Sequence, residues 1–171
     1  ARWPALALHL SASEDPVALH ERTVDAAIRY GRGPYPGMIV TRLLDDVFIP
    51  VCSPRLRLRR PEDLRRYSLI HFEWRREDRR TPTWRRWLAR AGVSSVDPSR
   101  GLSFSDESHA IAAAIGGHGV ALLSSALIQA DLEQGTLVQP FGPSLPGYRH
   151  HLVCLKEAQH STGVEALRAW I

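Results

Sequence analysis

Apolar runs of strand length alternate with segments of helical periodicity along most of the chain, and glycine, proline or serine separates them. The runs at residues 5–10, 26–30, 68–72, 101–104, 120–123, 137–141 and 150–155 each predict a strand. The first run, 5–10, has the composition of a buried strand. Residues 38–51 are also largely extended, although Asp45 and Asp46 interrupt their apolar pattern.

Helical periodicity is clearest in two central segments. In 82–91, Trp84, Trp87, Leu88 and Ala91 recur at the spacing of one helix face. Residues 107–115 predict a second helix, which ends at a pair of glycines. Further helices are predicted at 17–23, in the segment that ends at residue 134, and at the C-terminus.

Strands that alternate with helices at this spacing predict an α/β fold with parallel sheets. Residues 53–140 form a nearly complete series of strand–helix–strand units, whereas 1–50 and 150–171 are each too short to close a core. We therefore predict two lobes, one from 53–140 and a discontinuous one from 1–50 with 150–171. Extended crossovers at 47–54 and 137–149 would join them, and a small molecule should bind in the cleft between such lobes.

Composition excludes several classes of protein. Of the 171 residues, 44% are hydrophobic and 23% are charged, and no apolar run approaches the ~18 residues of a membrane span. The chain opens with Ala-Arg-Trp-Pro, which lacks the basic stretch and apolar core of a secretory signal. Cys52 and Cys154 lie far apart in apolar runs, which favours buried, reduced thiols. We therefore predict a cytoplasmic protein with no membrane contact.

Positive charge is concentrated in residues 55–90, where 13 arginines and 5 acidic residues give a net charge of +8. Because the whole chain carries +4, the remainder carries −4. Such a segment can attract nucleic acid. However, 21 of the 22 basic residues in the chain are arginine, which indicates a general preference for arginine, and no helix-turn-helix pattern is present. We expect no direct DNA contact from these residues.

Enzyme and cofactor motifs are not found in the sequence. No G-x-S-x-G nucleophile elbow or P-loop occurs, and neither G-x-G completes a dinucleotide fingerprint. His150 and His151 are adjacent in a predicted strand, so they point to opposite faces and are poorly placed to share a metal ion. We therefore predict no catalytic residue, no metal and no cofactor.

The segment from Phe104 to Glu107 carries the sharpest candidate site, because it joins a strand to a helix. Ser105 is predicted at the N-cap, where free backbone N–H groups favour an anion such as a carboxylate. The simpler alternative is that Ser105 only caps its own helix. Asp106 and Glu107 disfavour a strongly anionic ligand, although they also suit the helix dipole.

Polar residues also end the first two predicted strands. Ser11 and Ser13 follow the first, and Arg29 and Tyr30 end the second. Ligands of open α/β sheets lie at the carboxyl ends of strands, so these residues are candidates. Arg29 could hold a carboxylate with two hydrogen bonds or form a salt bridge within the protein.

His71 and Trp74 follow a strand of the central block. They could line the opposite wall of the cleft or simply pack there. The candidate effector-binding residues are therefore Ser11, Ser13, Arg29, Tyr30, His71, Trp74, Ser105 and Asp106.

Residues 24–33 read VDAAIRYGRG, and residues 50–54 read PVCSP. The first stretch resembles the VDLAIRYGRG of the effector-binding domain of LysR-type transcription regulators, in the subgroup of glycine-cleavage and β-lactamase regulators. The second resembles the family's crossover into the second lobe. The strand LIH at 69–71, FSDES at 104–108, AAAIGGHGVAL at 112–122 and DLEQGTLV at 131–138 match further family patterns in the same order.

The resemblance implies a type II periplasmic-binding-protein-like fold of two Rossmann-like lobes with two crossover strands. It also implies a homodimer, a small-molecule effector in the cleft, and effector contacts at Ser13, Arg29, Tyr30 and Ser105. By the same resemblance, the DNA-binding helix-turn-helix, the first strand and most of the first helix of the sensing domain are absent from this sequence. The rival hypotheses are a periplasmic-type solute-binding protein, which shares the fold, and a small α/β enzyme.

Overall fold

The computed structural model describes residues 6–13, 17–19 and 24–171. The chain divides into two compact units. Unit one contains Ala1–Asp45 and Tyr148–Ile171, and unit two contains Asp46–Gly147. The lobe and crossover boundaries given above rest on the sequence pattern alone and stay predictions.

The described elements follow the alternation expected from the sequence. The strands are β1 (Ala26–Gly31), β2 (Met38–Cys52), β3 (Leu69–Phe72), β4 (Leu102–Phe104), β5 (Val120–Ser124) and β6 (Leu145–Leu155). The α-helices are α1 (Trp84–Ala91), α2 (Glu107–Ile115), α3 (Gln129–Gln134) and α4 (Thr162–Trp170), with 3₁₀ turns at Pro54–Leu56, Pro61–Arg66 and Lys156–Ala158.

Unit two contains a mixed sheet. β3 pairs in parallel with both β4 and β5, as the strand–helix alternation predicts. β2 instead pairs with β5 in the antiparallel direction, with Phe48 opposite Ser124. Periodicity shows that a segment is extended but does not reveal its direction, so the antiparallel strand was not predictable from the pattern.

One face of this sheet packs against α2 through small side chains. Ala110 and Ala114 of α2 are fully buried, so the helix can approach the strands closely. The buried residues that form this core are Ile49, Val51, Ile70, Ala110, Ala113, Ala114, Ala121, Leu123, Ile128 and Leu137.

Helix α1 confirms the periodicity of its tryptophans. Thr83 caps its N-terminus by accepting a hydrogen bond from Arg86 N–H, and Gly92 ends it in the left-handed conformation with φ of 71°. Trp84 and Trp87 are buried with their ring centroids 5.5 Å apart. The indole N–H of Trp84 donates to Ile70 O at 2.9 Å.

Unit one contains an antiparallel pair rather than the parallel pairing that we predicted. β1 pairs with β6, with Ala26 opposite Cys154 and Tyr30 opposite His150. Ser161 caps α4, and the helix buries Val164 and Ala166.

Two predicted strands are wrong. Residues 6–10 form no regular structure, and Leu10 is 78% exposed (residue 5 lies outside the described part). Residues 137–141 make only an isolated bridge between Val138 and Cys52. A strand requires a neighbouring ladder to satisfy its backbone, and apolar alternation alone does not supply that neighbour. The helix expected at 17–23 falls largely outside the described residues.

Candidate functional site

The ends of β3 and β4 lie side by side at the carboxyl edge of the sheet in unit two. Phe72 pairs with Phe104, and Glu73 N–H donates to Phe104 O at 2.9 Å. This pairing places Trp74 and Ser105 just beyond the ends of adjacent strands. The structure therefore brings two of the predicted site residues to one edge, as parallel strands require.

The start of α2 corrects the prediction for Ser105. The N-cap is Asp106, not Ser105, and its carboxylate accepts a hydrogen bond from Ser108 N–H at 2.8 Å. The hydroxyl of Ser108 also donates to Asp106. These hydrogen bonds hold the pKa of Asp106 below its ordinary value, and the bond from the Ser108 hydroxyl has the larger effect. Ser105 is exposed and lies one residue before the cap, so capping does not occupy its side chain.

Glu107, the first residue of α2, contacts the end of the neighbouring strand. Its carboxylate accepts a hydrogen bond from Ser124 N–H at 3.3 Å. Burial raises the pKa of Glu107 above its ordinary value; the Ser124 hydrogen bond opposes this, and the charges of Asp46 and Asp106 add to it. Asp46 and Glu107 are not among the site residues predicted from the sequence. The interruption of an apolar strand by Asp45 and Asp46 was the feature that could have identified Asp46.

A cavity of about 280 Å³ opens on unit two beside β3. His71 and Trp74, which we predicted from the sequence, both line it. His71 Nε2 lies 2.9 Å from Arg100 O, which fixes the ring position. The complete lining is Ile70, His71, Phe72, Trp74, Glu77, Pro82, Thr83, Trp84, Arg85, Pro98 and Leu122. This volume is close to the lower end for small-molecule sites.

Trp74 also packs against two phenylalanines. Its ring centroid lies 5.6 Å from that of Phe48 and 5.0 Å from that of Phe72. Phe48 belongs to β2 and Phe72 to β3, so the tryptophan spans two strands of the sheet. Trp74 therefore both packs against its neighbours and lines the cavity.

The candidates of unit one include Arg29 and Tyr30 of β1. Arg29 Nη2 donates to Val17 O at 2.9 Å, and its guanidinium carbon lies 5.4 Å from the ring centroid of Tyr35. No salt bridge between Arg29 and another described residue is present. The hydroxyl of Tyr30 accepts a hydrogen bond from Tyr148 N–H at 2.9 Å.

The first two predicted site residues lie in an irregular segment. Ser11 and Ser13 are exposed and follow no strand in the described structure, so the strand-end argument for them is wrong. The eight candidates fall into two sets, four in each unit. Ser11, Ser13, Arg29 and Tyr30 belong to unit one, and His71, Trp74, Ser105 and Asp106 belong to unit two.

Metal-binding clusters and reactive thiols are the remaining candidate functional groups. Among the described residues, no group of three or more His, Cys, Asp or Glu side chains is arranged to hold a metal ion. Cys52 and Cys154 are free and buried, and burial raises the pKa of Cys52 to about 11. No helix among these residues combines the length and apolar character that a bilayer crossing requires.

Comparison with known proteins gives consistent matches. Residues 1–171 match the family model described as LysR substrate binding domain. The chain is 36% identical over 154 residues to the glycine cleavage system transcriptional activator of Escherichia coli K12, covering 86% of this chain and 48% of that protein. It is 30% identical over 171 residues to the HTH-type transcriptional activator AmpR of Rhodobacter capsulatus, covering 98% of this chain and 56% of that protein. The chain thus spans about half the length of these relatives.

Solved structures show the same relationship. The effector domain of AmpR from Pseudomonas aeruginosa superposes with a TM-score of 0.76 at 26% identity, covering 99% of this chain and 81% of that one. CrgA from Neisseria meningitidis, described as a LysR-type transcriptional regulator, matches in fold with a TM-score of 0.72 at 20% identity, covering 99% of this chain and 58% of that one.

Proposed function

This chain belongs to the LysR substrate-binding domain family, and we propose that it senses a small molecule through the polar residues that follow its strands. Its fold is of the type II periplasmic-binding-protein-like class, and it is an effector-binding domain of LysR-type regulators.

Because the relatives are about twice as long as this chain, the activity of the whole protein is part of the proposal. One relative is the glycine cleavage system transcriptional activator, and another is the HTH-type transcriptional activator AmpR. We propose that the full-length protein is a cytoplasmic homodimer that binds DNA through a helix-turn-helix portion, with this chain as its sensor. No catalytic step is needed for that role, so we propose that the chain is not an enzyme. The relatives favour a regulator over a periplasmic solute-binding protein.

The observation that carries the proposal is the position of Ser105. It follows β4, lies at the carboxyl edge of a parallel strand group, and is exposed while Asp106 caps the helix. Ligands of α/β sheets bind at this edge. In unit one, the guanidinium of Arg29 donates a hydrogen bond to Val17 O and lies over the ring of Tyr35. A guanidinium has five N–H donors, and Val17 O is the acceptor that the described residues give to Arg29, so two of its other donors could hold an effector carboxylate.

Sensing requires only that the effector bind one conformation of the domain more tightly than another. The population then shifts by the difference between the two affinities. A dimer would carry that shift to the DNA-binding portions. The effector is released unchanged, which separates this role from catalysis.

The test begins with a thermal-shift screen of small molecules, because a ligand that binds only the folded state raises the unfolding midpoint. For a confirmed binder, we expect Ser105→Ala and Arg29→Ala each to weaken affinity by about tenfold, the effect of one lost hydrogen bond to a charged group. Both variants should keep the wild-type midpoint within a few degrees.

Matched controls are available in the same chain. Ser103→Ala changes an exposed serine two residues earlier, and Arg90→Ala changes an exposed arginine of α1. Both should bind the effector normally. Wild-type affinity in the Ser105 and Arg29 variants would show that the effector is held elsewhere.

A further inference from the structure

Two consecutive aspartates of β2 have opposite surroundings. Asp45 is about half exposed and forms salt bridges with Arg42 and with Arg149, whose Nε lies 2.8 Å from Asp45 Oδ1. Asp46 is only 3% exposed, and neither of its carboxylate oxygens has a hydrogen-bond partner. A buried carboxylate without a partner carries a large desolvation cost, so its presence requires an explanation.

Asp46 lies close to a second acidic side chain. Phe48, on the same face of β2 as Asp46, pairs with Ser124 at the end of β5. Ser124 N–H donates to the carboxylate of Glu107 at 3.3 Å, and Ser125 N–H donates to Val47 O at 2.9 Å. These contacts bring the first turn of α2 and this part of β2 to the same end of β5. The charge of Asp46 accordingly contributes to the raised pKa of Glu107.

No cationic side chain among the described residues compensates this pair. Within the described structure, neither Asp46 nor Glu107 forms a salt bridge with an arginine, lysine or histidine. Asp106, the third acidic residue nearby, adds negative charge rather than removing it. The electrostatics of this edge therefore favour a positively charged occupant from outside the chain.

A cluster of aromatic rings begins on the same face of β2 as Asp46. Phe48 lies two residues from Asp46 and packs against Trp74, which in turn packs against Phe72. Aromatic faces attract cations and also bury apolar substituents. An acidic pair beside such rings suits an organic amine that has an apolar body.

A divalent metal ion fits this edge less well. Magnesium and calcium take six or more oxygen ligands, whereas Asp46 and Glu107 are two side chains. The described residues contain no group of three or more potential metal-ligating side chains. An ammonium group needs only a few acceptors, and both carboxylate oxygens of Asp46 are buried acceptors that lack a hydrogen-bond partner.

We propose that Asp46 and Glu107 bind a protonated amine of the effector at the carboxyl edge of unit two. This inference rests on the proposed function and specifies the chemistry of its ligand.

The experiment uses benzylamine and its neutral analogue benzyl alcohol, titrated calorimetrically into the 171-residue chain at pH 7.5. We expect benzylamine to bind and benzyl alcohol to bind at least about tenfold more weakly, since it lacks the charge. Affinity for benzylamine should fall as the pH falls through the pKa of Glu107, because protonation removes one of the negative charges; Asp46 and Asp106 are the other acidic groups there.

Asp46→Asn is the decisive variant. It should reduce benzylamine affinity by about tenfold or more. It should also raise the unfolding midpoint of the unliganded protein by about 2–4 °C, because a buried group without a partner is replaced by a less costly one. Asp45→Asn, one residue away, is the matched control and should retain benzylamine affinity. Glu107→Gln gives the same binding test if Asp46→Asn does not fold.

Three results would overturn the inference: no benzylamine binding by the wild type, equal binding by Asp46→Asn and the wild type, or stabilisation by Mg²⁺ or Ca²⁺ with none by benzylamine. Benzoate distinguishes this failure from that of the proposed function. If benzoate binds and Ser105→Ala or Arg29→Ala weakens it while benzylamine does not bind, the amine site is wrong and the effector site stands. If the two variants leave the binding of every ligand unchanged, the proposed effector site is wrong as well.

Discussion

Trp84 shows how one buried side chain can combine packing with a required hydrogen bond. Its ring is 2% exposed, and its N–H satisfies the carbonyl of Ile70 inside β3. The helical spacing predicted that this ring faces the core. It did not predict the hydrogen bond, because the partner lies 14 residues earlier in the chain. Helical spacing gives no information on which distant residue the indole N–H contacts.

We expect Trp84→Phe to lower the free energy of unfolding by about 1–3 kcal/mol, because it removes a buried hydrogen bond to the Ile70 carbonyl and part of the buried indole ring. Urea denaturation followed by circular dichroism measures the change. Trp170→Phe, at a position that is 70% exposed, serves as the control and should change little. Equal effects of the two substitutions would show that the hydrogen bond contributes nothing.

At the level of secondary structure, helix α2 shows both the strength and the limit of sequence reasoning. Its range, 107–115, was predicted correctly. Its cap was misplaced by one residue, because serine and aspartate are both favoured N-caps and occur together at 105 and 106. Only the backbone geometry selects the residue whose oxygen reaches Ser108 N–H. The shift has a functional consequence, since it leaves the Ser105 hydroxyl available.

Asp106→Ala should therefore lower the unfolding midpoint, whereas Ser105→Ala should leave it nearly unchanged. The pKa of Asp106 is lower in the folded protein, so the unfolded chain binds the proton more readily. The stabilising contribution of Asp106 is thus present above the unfolded pKa and is lost as the pH falls through the folded pKa. Thermal melts from pH 7 to pH 3 check this, and a loss of stability in Ser105→Ala alone would restore Ser105 as the cap.

The strands of unit two approach each other closely at a glycine. A Cβ on Gly119 would lie 2.3 Å from the carbonyl oxygen of Ser68, a contact that backbone atoms cannot relieve by rotation. The sequence showed Gly119 only as part of a G-x-G. Its role depends on the β3–β5 pairing, which composition cannot reveal.

Gly119→Ala should destabilise the chain by about 1–3 kcal/mol, because the added methyl forces β3 and β5 apart. Gly163→Ala in α4 is the matched control. Among the described residues, its Cβ would meet Leu6 Cδ1 at 3.9 Å, and alanine should stabilise the helix by up to about 1 kcal/mol. Chemical denaturation of both variants gives the comparison, and a neutral Gly119→Ala would contradict the close approach.

At the scale of the whole molecule, the sequence motifs identified the family and the α/β class, and the comparisons agree. The order of the motifs carries that information, because motifs spread over most of the chain follow each other in the same order as in the family pattern. The orientation of strands and the exposed segment 6–10 were not predictable, since both depend on pairing partners distant in sequence.

We also expect the chain to form a homodimer, as the family resemblance implies. Size-exclusion chromatography with light scattering should give twice the chain mass of 19.1 kDa. A monomeric mass that persists at high protein concentration would contradict the prediction.

The most direct test of effector sensing is a ¹⁵N NMR titration of the chain with an effector found in the thermal-shift screen. We predict chemical-shift changes at the Trp74 indole and the Ser105 amide of unit two and at Arg29 of unit one, with the effector recovered chemically unchanged. Shifts confined to α4 and other sites remote from these residues, or conversion of the effector into a product, would contradict the account.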